Sequence, residues 1–251
     1  MIVKTAAELD ALKEIGYICA FTLKKMGEAV QPGISTAELD SIGREILRSH
    51  GARSAPMVSY RFPGYNCISV NEVVAHGIPS STVILKEGDN VNIDVSACKN
   101  GFFSDNGYTY AVGKVSNIKQ KVIDCSKRAL QKAIAVAVAG NPISFIGREV
   151  EEEARRNSLF VIKNLTGHGV GRTLHDNPDS IYNFHNKRDK RLLQAGMVLA
   201  IEPFVSERDE YVLDAAADGW TLRTAHNSIV AQFEYSIVVT ENEPIILTVA
   251  D

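Results

Sequence analysis

Between residues 6 and 26 the apolar positions Leu9, Leu12, Ile15, Ile18, Phe21 and Leu23 recur near helical spacing, and the run stops before Gln31-Pro32-Gly33. That periodicity predicts a helix, and the Pro-Gly pair marks its end. Ser35-Thr36 ahead of Glu38 and Leu39 is a helix-start signal, so a second helix is expected to about His50. The same helix, breaker, helix pattern returns at residues 119–139, at Gly140-Asn141-Pro142 and at residues 144–157. Both second helices carry the tetrapeptide Ile-Gly-Arg-Glu, at 42–45 and again at 146–149. Its recurrence at the same place in two copies of one unit points to an internal duplication, with halves of about 1–115 and 116–251.

Segments rich in β-branched and aromatic residues follow each helical pair: 67–70, 90–97 and 102–112 in the first half, then 197–205, 211–215, 220–223, 231–240 and 245–249 in the second. Strands so outnumber any strand-helix alternation that a doubly wound sheet is not expected. The expected class is α+β, with two pseudo-symmetric halves sharing one curved antiparallel sheet and helices on its outer side. A chain of 251 residues can bury one large core, and a single domain is the expectation.

Charge and cysteine usage narrow the function. The 27 basic and 30 acidic residues leave a formal charge of -3 with no basic cluster, so nothing attracts nucleic acid or an anionic membrane. Cys19, Cys67, Cys98 and Cys125 form no C-x-x-C pair, which signals a reducing compartment and neither a zinc knuckle nor a disulfide framework. Residues 1–10 lack the apolar stretch of a secretory signal, and the longest apolar run, 133–139, is too short for a bilayer. A cytoplasmic protein is expected.

The chemistry is concentrated in carboxylates placed where apolar residues belong. Asp94 ends the strand-like Asn-Val-Asn-Ile-Asp, Lys99-Asn100-Gly101 supplies a hairpin turn, and Asp105 returns on the partner strand. Their odd spacing of eleven puts both aspartates on one face, where like charges repel unless a cation is shared. A lone pair of aspartates is more often a solvated hairpin face. Here, however, Glu202 and Glu234 each sit in an otherwise apolar strand, and Gly167 and Gly169 frame His168. Each could be a satisfied core group taken singly; two metal ions would compensate all of them together.

The order Asn-Glu-Val-Val-Ala-His-Gly-Ile-Pro (71–79), Val-Asn-Ile-Asp-Val (91–95), Asp105, Gly-His-Gly-Val-Gly-Arg (167–172), His175, Ile-Glu-Pro (201–203) and Gln-Phe-Glu (232–234) resembles the type I methionine aminopeptidases over nearly the whole chain. The resemblance implies the duplicated pita-bread fold and removal of the initiator methionine from nascent polypeptides whose second residue is small. It implies Asp94, Asp105, His168, Glu202 and Glu234 as metal ligands, with Asp105 and Glu234 bridging, and His76 and His175 as flanking catalytic histidines. It further implies Phe62, Cys67, Trp220 and, less closely, Tyr65 as the lining of a methionine pocket, and Asn71, Val73 and Ser228 as a monovalent-cation site. Partners would be nascent amino termini, with the ribosome a candidate, and the enzyme would act as a monomer.

Four carboxylates and one imidazole make an oxygen-rich set that suits Mn²⁺, Fe²⁺ or Co²⁺ better than a closed Zn²⁺ site, although Zn²⁺ stays open. Two such ions, about 3.5–4 Å apart, can acidify a bridging water to hydroxide and polarise a carbonyl. Glu202 is then the candidate proton acceptor, His175 a donor to the oxyanion and His76 a contact to the scissile amide. His50, His185 and His226 have no motif context and read as surface residues. Three positions depart from the family pattern: Asn106 stands for the usual Thr, Tyr235 for a common His and Leu174 for a frequent Phe. The first two adjoin ligands and so bear on metal affinity and rate. Two alternatives share the fold: an Xaa-Pro aminopeptidase or prolidase-like enzyme, and a non-catalytic pita-bread protein that only binds partners.

Overall fold

The helix-start signals operate as read. In the computed structural model, which describes residues 1–250, Thr5 caps α1 (Ala6–Glu28), and Ser35 caps α2 (Thr36–Ser49) through a full capping box with Glu38. A short helix the sequence did not announce, α3 (Ala55–Tyr60), starts at a Ser54 cap with Pro56 in its first turn and ends at left-handed Arg61. Ser116 caps α4 (Asn117–Ala135), and α5 spans Ser144–Arg156. Helix α4 stops four residues short of the predicted end. The Asn141 side chain caps the Val136 carbonyl at 3.0 Å, and the Ala139 N–H donates to the Thr240 carbonyl at 2.9 Å, tying the chain to a sheet end instead.

One eight-stranded sheet spans both halves. Its strands are β1 (Cys67–Val70), β2 (Asn90–Asp94), β3 (Asn106–Ala111), β4 (Thr166–Gly169), β5 (Asp176–Tyr182), β6 (Val198–Ile201), β7 (Glu234–Val238) and β8 (Ile245–Ile246). They run in the order β5-β4-β6-β7-β3-β2-β1, with β8 also paired to β7, and every pairing is antiparallel. The fold is mixed α+β and is the pita-bread fold, a curled antiparallel sheet with helices. Apolar faces of α1 and α2 (Leu12, Ile15, Leu39, Leu47) pack with Ile68, Val91 and Ile93, while α4 and α5 (Val122, Leu130, Ile146, Val150) pack with Leu199 and Ile237. Both glycines of the repeated tetrapeptide mark close approaches. A Cβ on Gly43 would lie 2.6 Å from the Met26 sulfur, and one on Gly147 would lie 2.3 Å from the carbonyl oxygens of Tyr182 and Phe184. No described helix is long and apolar enough to cross a membrane.

Four predicted strands are each broken, and the breaks fall at the carboxylates. Segment 90–97 divides into β2 and Ala97–Lys99, 102–112 into Phe102–Ser104 and β3, 197–205 into β6 and Phe204–Ser206, and 231–240 into Val230–Gln232 and β7. The detached pieces pair in small separate sheets, Ala97–Lys99 with Phe102–Ser104 and Phe204–Ser206 with Val230–Gln232. The predicted strand at 211–215 is absent apart from one bridge between Val212 and Thr224, and 220–223 keeps only Leu222–Arg223, paired to Val73–Ala75. Segment 245–249 keeps only β8. Conversely β4 and β5 are strands despite Gly, Asp, Asn and Pro, because pairing with β6 and with each other overrides their low strand propensity.

Candidate metal centre

Five neighbouring strands each bring one candidate ligand to the same level. His168 lies in β4, Glu202 directly follows β6, Glu234 begins β7, Asp105 directly precedes β3 and Asp94 ends β2, and these strands are consecutive in the sheet. Register explains the convergence. Gly107 is opposite Asp94 on one side and opposite Glu234 on the other, so all three positions share a face. A Cβ on Gly107 would lie 2.3 Å from the Gln232 side chain, which fills that gap and donates to Glu234 Oε2 at 2.8 Å. The glycines flanking His168 serve backbone approach: a Cβ on Gly167 would lie 2.5 Å from the Ala200 carbonyl oxygen, and one on Gly169 2.3 Å from that of Asn177.

The ligand atoms of Asp105, His168 and Glu234 lie within 4.8 Å of one another, and all three residues are buried. His168 Nε2 is 3.8 Å from Asp105 Oδ2 and 3.6 Å from Glu202 Oε1. Its Nδ1 is 2.9 Å from the Gly169 carbonyl, so Nδ1 carries the ring proton and Nε2 presents a lone pair to the space among the carboxylates, where a cation could take it. Ser96 donates to Asp105 Oδ1 at 2.6 Å and Asp94 Oδ1 at 3.4 Å. The Ser236 hydroxyl clips the Asp105 backbone, accepting from its N–H and donating to its carbonyl, both at 2.9 Å. Glu234 Oε1 is buried with no protein partner.

Burial, and then the charge of Asp105, raises the carboxyls of Asp94, Glu202 and Glu234 well above the ordinary range. Burial likewise holds His168 and His76 below the usual histidine value, and burial together with neighbouring His168 pushes His175 down to about 4. An orphaned carboxylate oxygen, a histidine in the ligating tautomer and four crowded carboxylates fit divalent cations bound by oxygen and one imidazole nitrogen. A testable consequence follows from the direction of these shifts. Groups raised in the fold keep their protons to higher pH than in the unfolded chain, so the metal-free fold loses stability as pH rises through their values, and loading with Mn²⁺ displaces whatever protons they hold. Titration calorimetry in buffers of different ionisation enthalpy should show release on the order of one proton per ion. A binding heat that is the same in every buffer contradicts the site.

The cavity over these groups has a volume of about 210 Å³ and is lined by Phe62, Cys67, His76, His175 and Trp220 as well as by the five candidate ligands. Phe62 and Trp220 meet edge to face with ring centres 5.2 Å apart. His76 stands in the left-handed region at φ 55, beside Gly77, whose N–H donates to Ser69 Oγ. Tyr65 is not part of the lining: its N–H donates to Asp40, and Arg44 lies over its ring at 5.7 Å, on the α2 side. Asn106 and Tyr235 adjoin ligands in sequence, yet they are cross-strand partners lining a separate groove with Tyr108 and Tyr110. Leu174, in contrast, lines the cavity. The sequence reading missed Ser96, Ser236, Pro56 and Tyr60. Serine and tyrosine in unremarkable contexts gave no signal, and only Gln232 stood inside a quoted motif. Of the histidines set aside, His226 is exposed and pairs with Asp209, while His50 is half-buried against Phe21.

Crowded acids around a neutral imidazole, at the centre of a curled antiparallel sheet backed by helices, define a metal-dependent hydrolase of the pita-bread class. The profile of metallopeptidase family M24 matches residues 10–241. The chain is 49% identical to a methionine aminopeptidase of Staphylococcus epidermidis over the full length of both, and 48% identical to methionine aminopeptidase 2 of Bacillus subtilis over 99% of each. The crystal structure of methionine aminopeptidase from Rickettsia prowazekii superposes with a TM-score of 0.94 at 34% identity, covering 99% of this chain and all of that one. A prolidase from Pyrococcus furiosus, at 21% identity and TM-score 0.78, shares the fold, and the match covers 66% of its chain. The chain belongs to metallopeptidase family M24 and, within it, to the bacterial type I methionine aminopeptidases.

Proposed function

We propose that the chain removes the amino-terminal methionine from nascent polypeptides with a small second residue, using Asp94, Asp105, His168, Glu202 and Glu234 to hold two divalent ions bridged by Asp105 and Glu234. The observation that carries this reading is one ligand from each of five consecutive strands beside a cavity walled by Phe62, Cys67 and Trp220. When bound, the ions supply an acidified water as nucleophile and polarise the scissile carbonyl. Glu202, at the cavity wall, accepts the proton given up by the attacking water. His175 donates to the oxyanion that develops on the carbonyl, and His76 orients the scissile amide. Two aromatic faces and a thiol form an apolar, polarisable seat for the thioether side chain.

Mn²⁺, Fe²⁺ and Co²⁺ match the ligand set best, with Zn²⁺ a further candidate. A monovalent cation near Asn71, Val73 and Ser228 would compete with existing bonds, since Asn71 Oδ1 already accepts from Lys119 Nζ at 2.6 Å and Ser228 Oγ from the Asp209 N–H at 3.1 Å. The remaining parts of the reading are a single cytoplasmic domain built by duplication, acting as a monomer on chains leaving the ribosome. Short peptides test the substrate directly. The metal-loaded protein is expected to cleave Met-Ala-Ser and to leave Xaa-Pro peptides intact; cleavage of the proline peptides alone overturns the assignment.

A further inference from the structure

Tyr60 is one of the cavity residues that neither the motifs nor the ligand set accounts for. Its hydroxyl lies 2.5 Å from Nδ1 of His175, and the two ring centres are 5.4 Å apart with a 50° tilt. The His175 ring also meets that of His168, with centres 4.1 Å apart. The imidazole therefore touches two rings, with one nitrogen committed to the phenol. Tyr60 is itself well placed by short-range structure. Ser54 caps the helix that carries it, Pro56 stiffens the first turn, and Arg61 at φ 61 ends the helix one residue later.

A neutral imidazole has one N–H and one lone pair, so what Nδ1 does decides what Nε2 presents. At 2.5 Å one of the pair, the phenol or Nδ1, supplies the proton between them and the other accepts it. If the phenol donates to Nδ1, the ring proton sits on Nε2. The reverse arrangement, with Nδ1–H donating to the phenol oxygen, would set an unprotonated Nε2 against a substrate carbonyl oxygen, lone pair against lone pair. We propose that Tyr60 is a positioning residue for the reaction, fixing His175 in the tautomer whose Nε2–H points a donor at the reacting carbonyl. This rests on the reading of His175 as the oxyanion donor. It separates Tyr60 from Phe62 and Trp220, which need only be apolar walls.

Tyr60→Phe keeps the ring and deletes only the hydroxyl. In that variant kcat on Met-Ala-Ser should fall about 10- to 100-fold with KM changed less than about twofold. Nitrogen-15 spectra of the Zn²⁺-loaded, histidine-labelled protein should show His175 passing from the single Nε2–H form to a mixture of tautomers. Tyr60→Leu, which removes the wall as well, should lose at least as much kcat and also raise KM. An unshifted His175 spectrum in Tyr60→Phe, or a rise in KM with kcat intact, overturns the proposal. Undiminished turnover in His175→Ala instead sinks the reading of His175 itself, even where Tyr60→Phe moves the tautomer signals.

Discussion

Asp105→Ala is expected to lower metal-dependent turnover by on the order of 10³-fold or more, about 4 kcal/mol of transition-state stabilisation. Asp105 is the carboxylate whose charge acts on Asp94, Glu202 and Glu234 alike, and one of its oxygens lies 3.8 Å from His168 Nε2. Its loss removes the oxygens proposed to bridge both cations, so both positions weaken together. The fold should survive, because the Ser236 hydroxyl bonds the backbone of residue 105 rather than its side chain. Without metal, the wild-type site concentrates acidic groups that repel one another, and deleting one of them relieves that repulsion. In chelator the variant should therefore melt no lower than wild type, whereas added Mn²⁺ should raise its melting temperature far less. Retention of most metal-dependent turnover in Asp105→Ala contradicts the ligand assignment.

His175→Ala should produce the second-largest loss, about 10²- to 10³-fold in kcat, the usual cost of deleting an oxyanion donor. The ring is neutral near pH 7, with its value pushed down to about 4, so it acts as a hydrogen-bond donor and not as a cation. KM and the number of bound metals should change little, since His175 lines the cavity and is not among the proposed ligands. Steady-state kinetics together with metal analysis of the purified variant separates the outcomes. Loss of metal along with activity would place His175 among the ligands, and wild-type kcat would remove it from the mechanism.

Most of the helices and the candidate ligands were legible in the sequence for local reasons. Ser35 with Glu38 writes a capping box in four residues, and Asp94, Glu202 and Glu234 each break an apolar run. What could not be read is where strands change partners. Residues 90–97 look like a single strand, because nothing local distinguishes a strand that continues from one that bends into a second sheet at Asp94, whereas within 197–205 Pro203, which cannot donate to a ladder, marks the break after Glu202. Those bends place the carboxylates at the sheet's working level. The Gly-His-Gly strand was invisible for the opposite reason: its propensity is poor, and its shape is imposed by β5 and β6. Supporting contacts from Ser236 and Tyr60 join residues far apart in the chain, and no single-sequence pattern encodes them. Alternation along β3 and β7 also places the side chains of Asn106 and Tyr235 in a separate groove away from the cavity, and Asn106 meets a candidate ligand only through its backbone N–H, which donates to Asp105 Oδ1 at 3.1 Å.

The most direct measurement is diffraction from Mn²⁺-soaked crystals with data collected near the manganese absorption edge. Two anomalous peaks should appear in the cavity, contacted by Asp94, Asp105, His168, Glu202 and Glu234, with Asp105 and Glu234 between them. Peaks elsewhere on an enzyme that is active in the crystal, with these five side chains left without metal, would contradict the account.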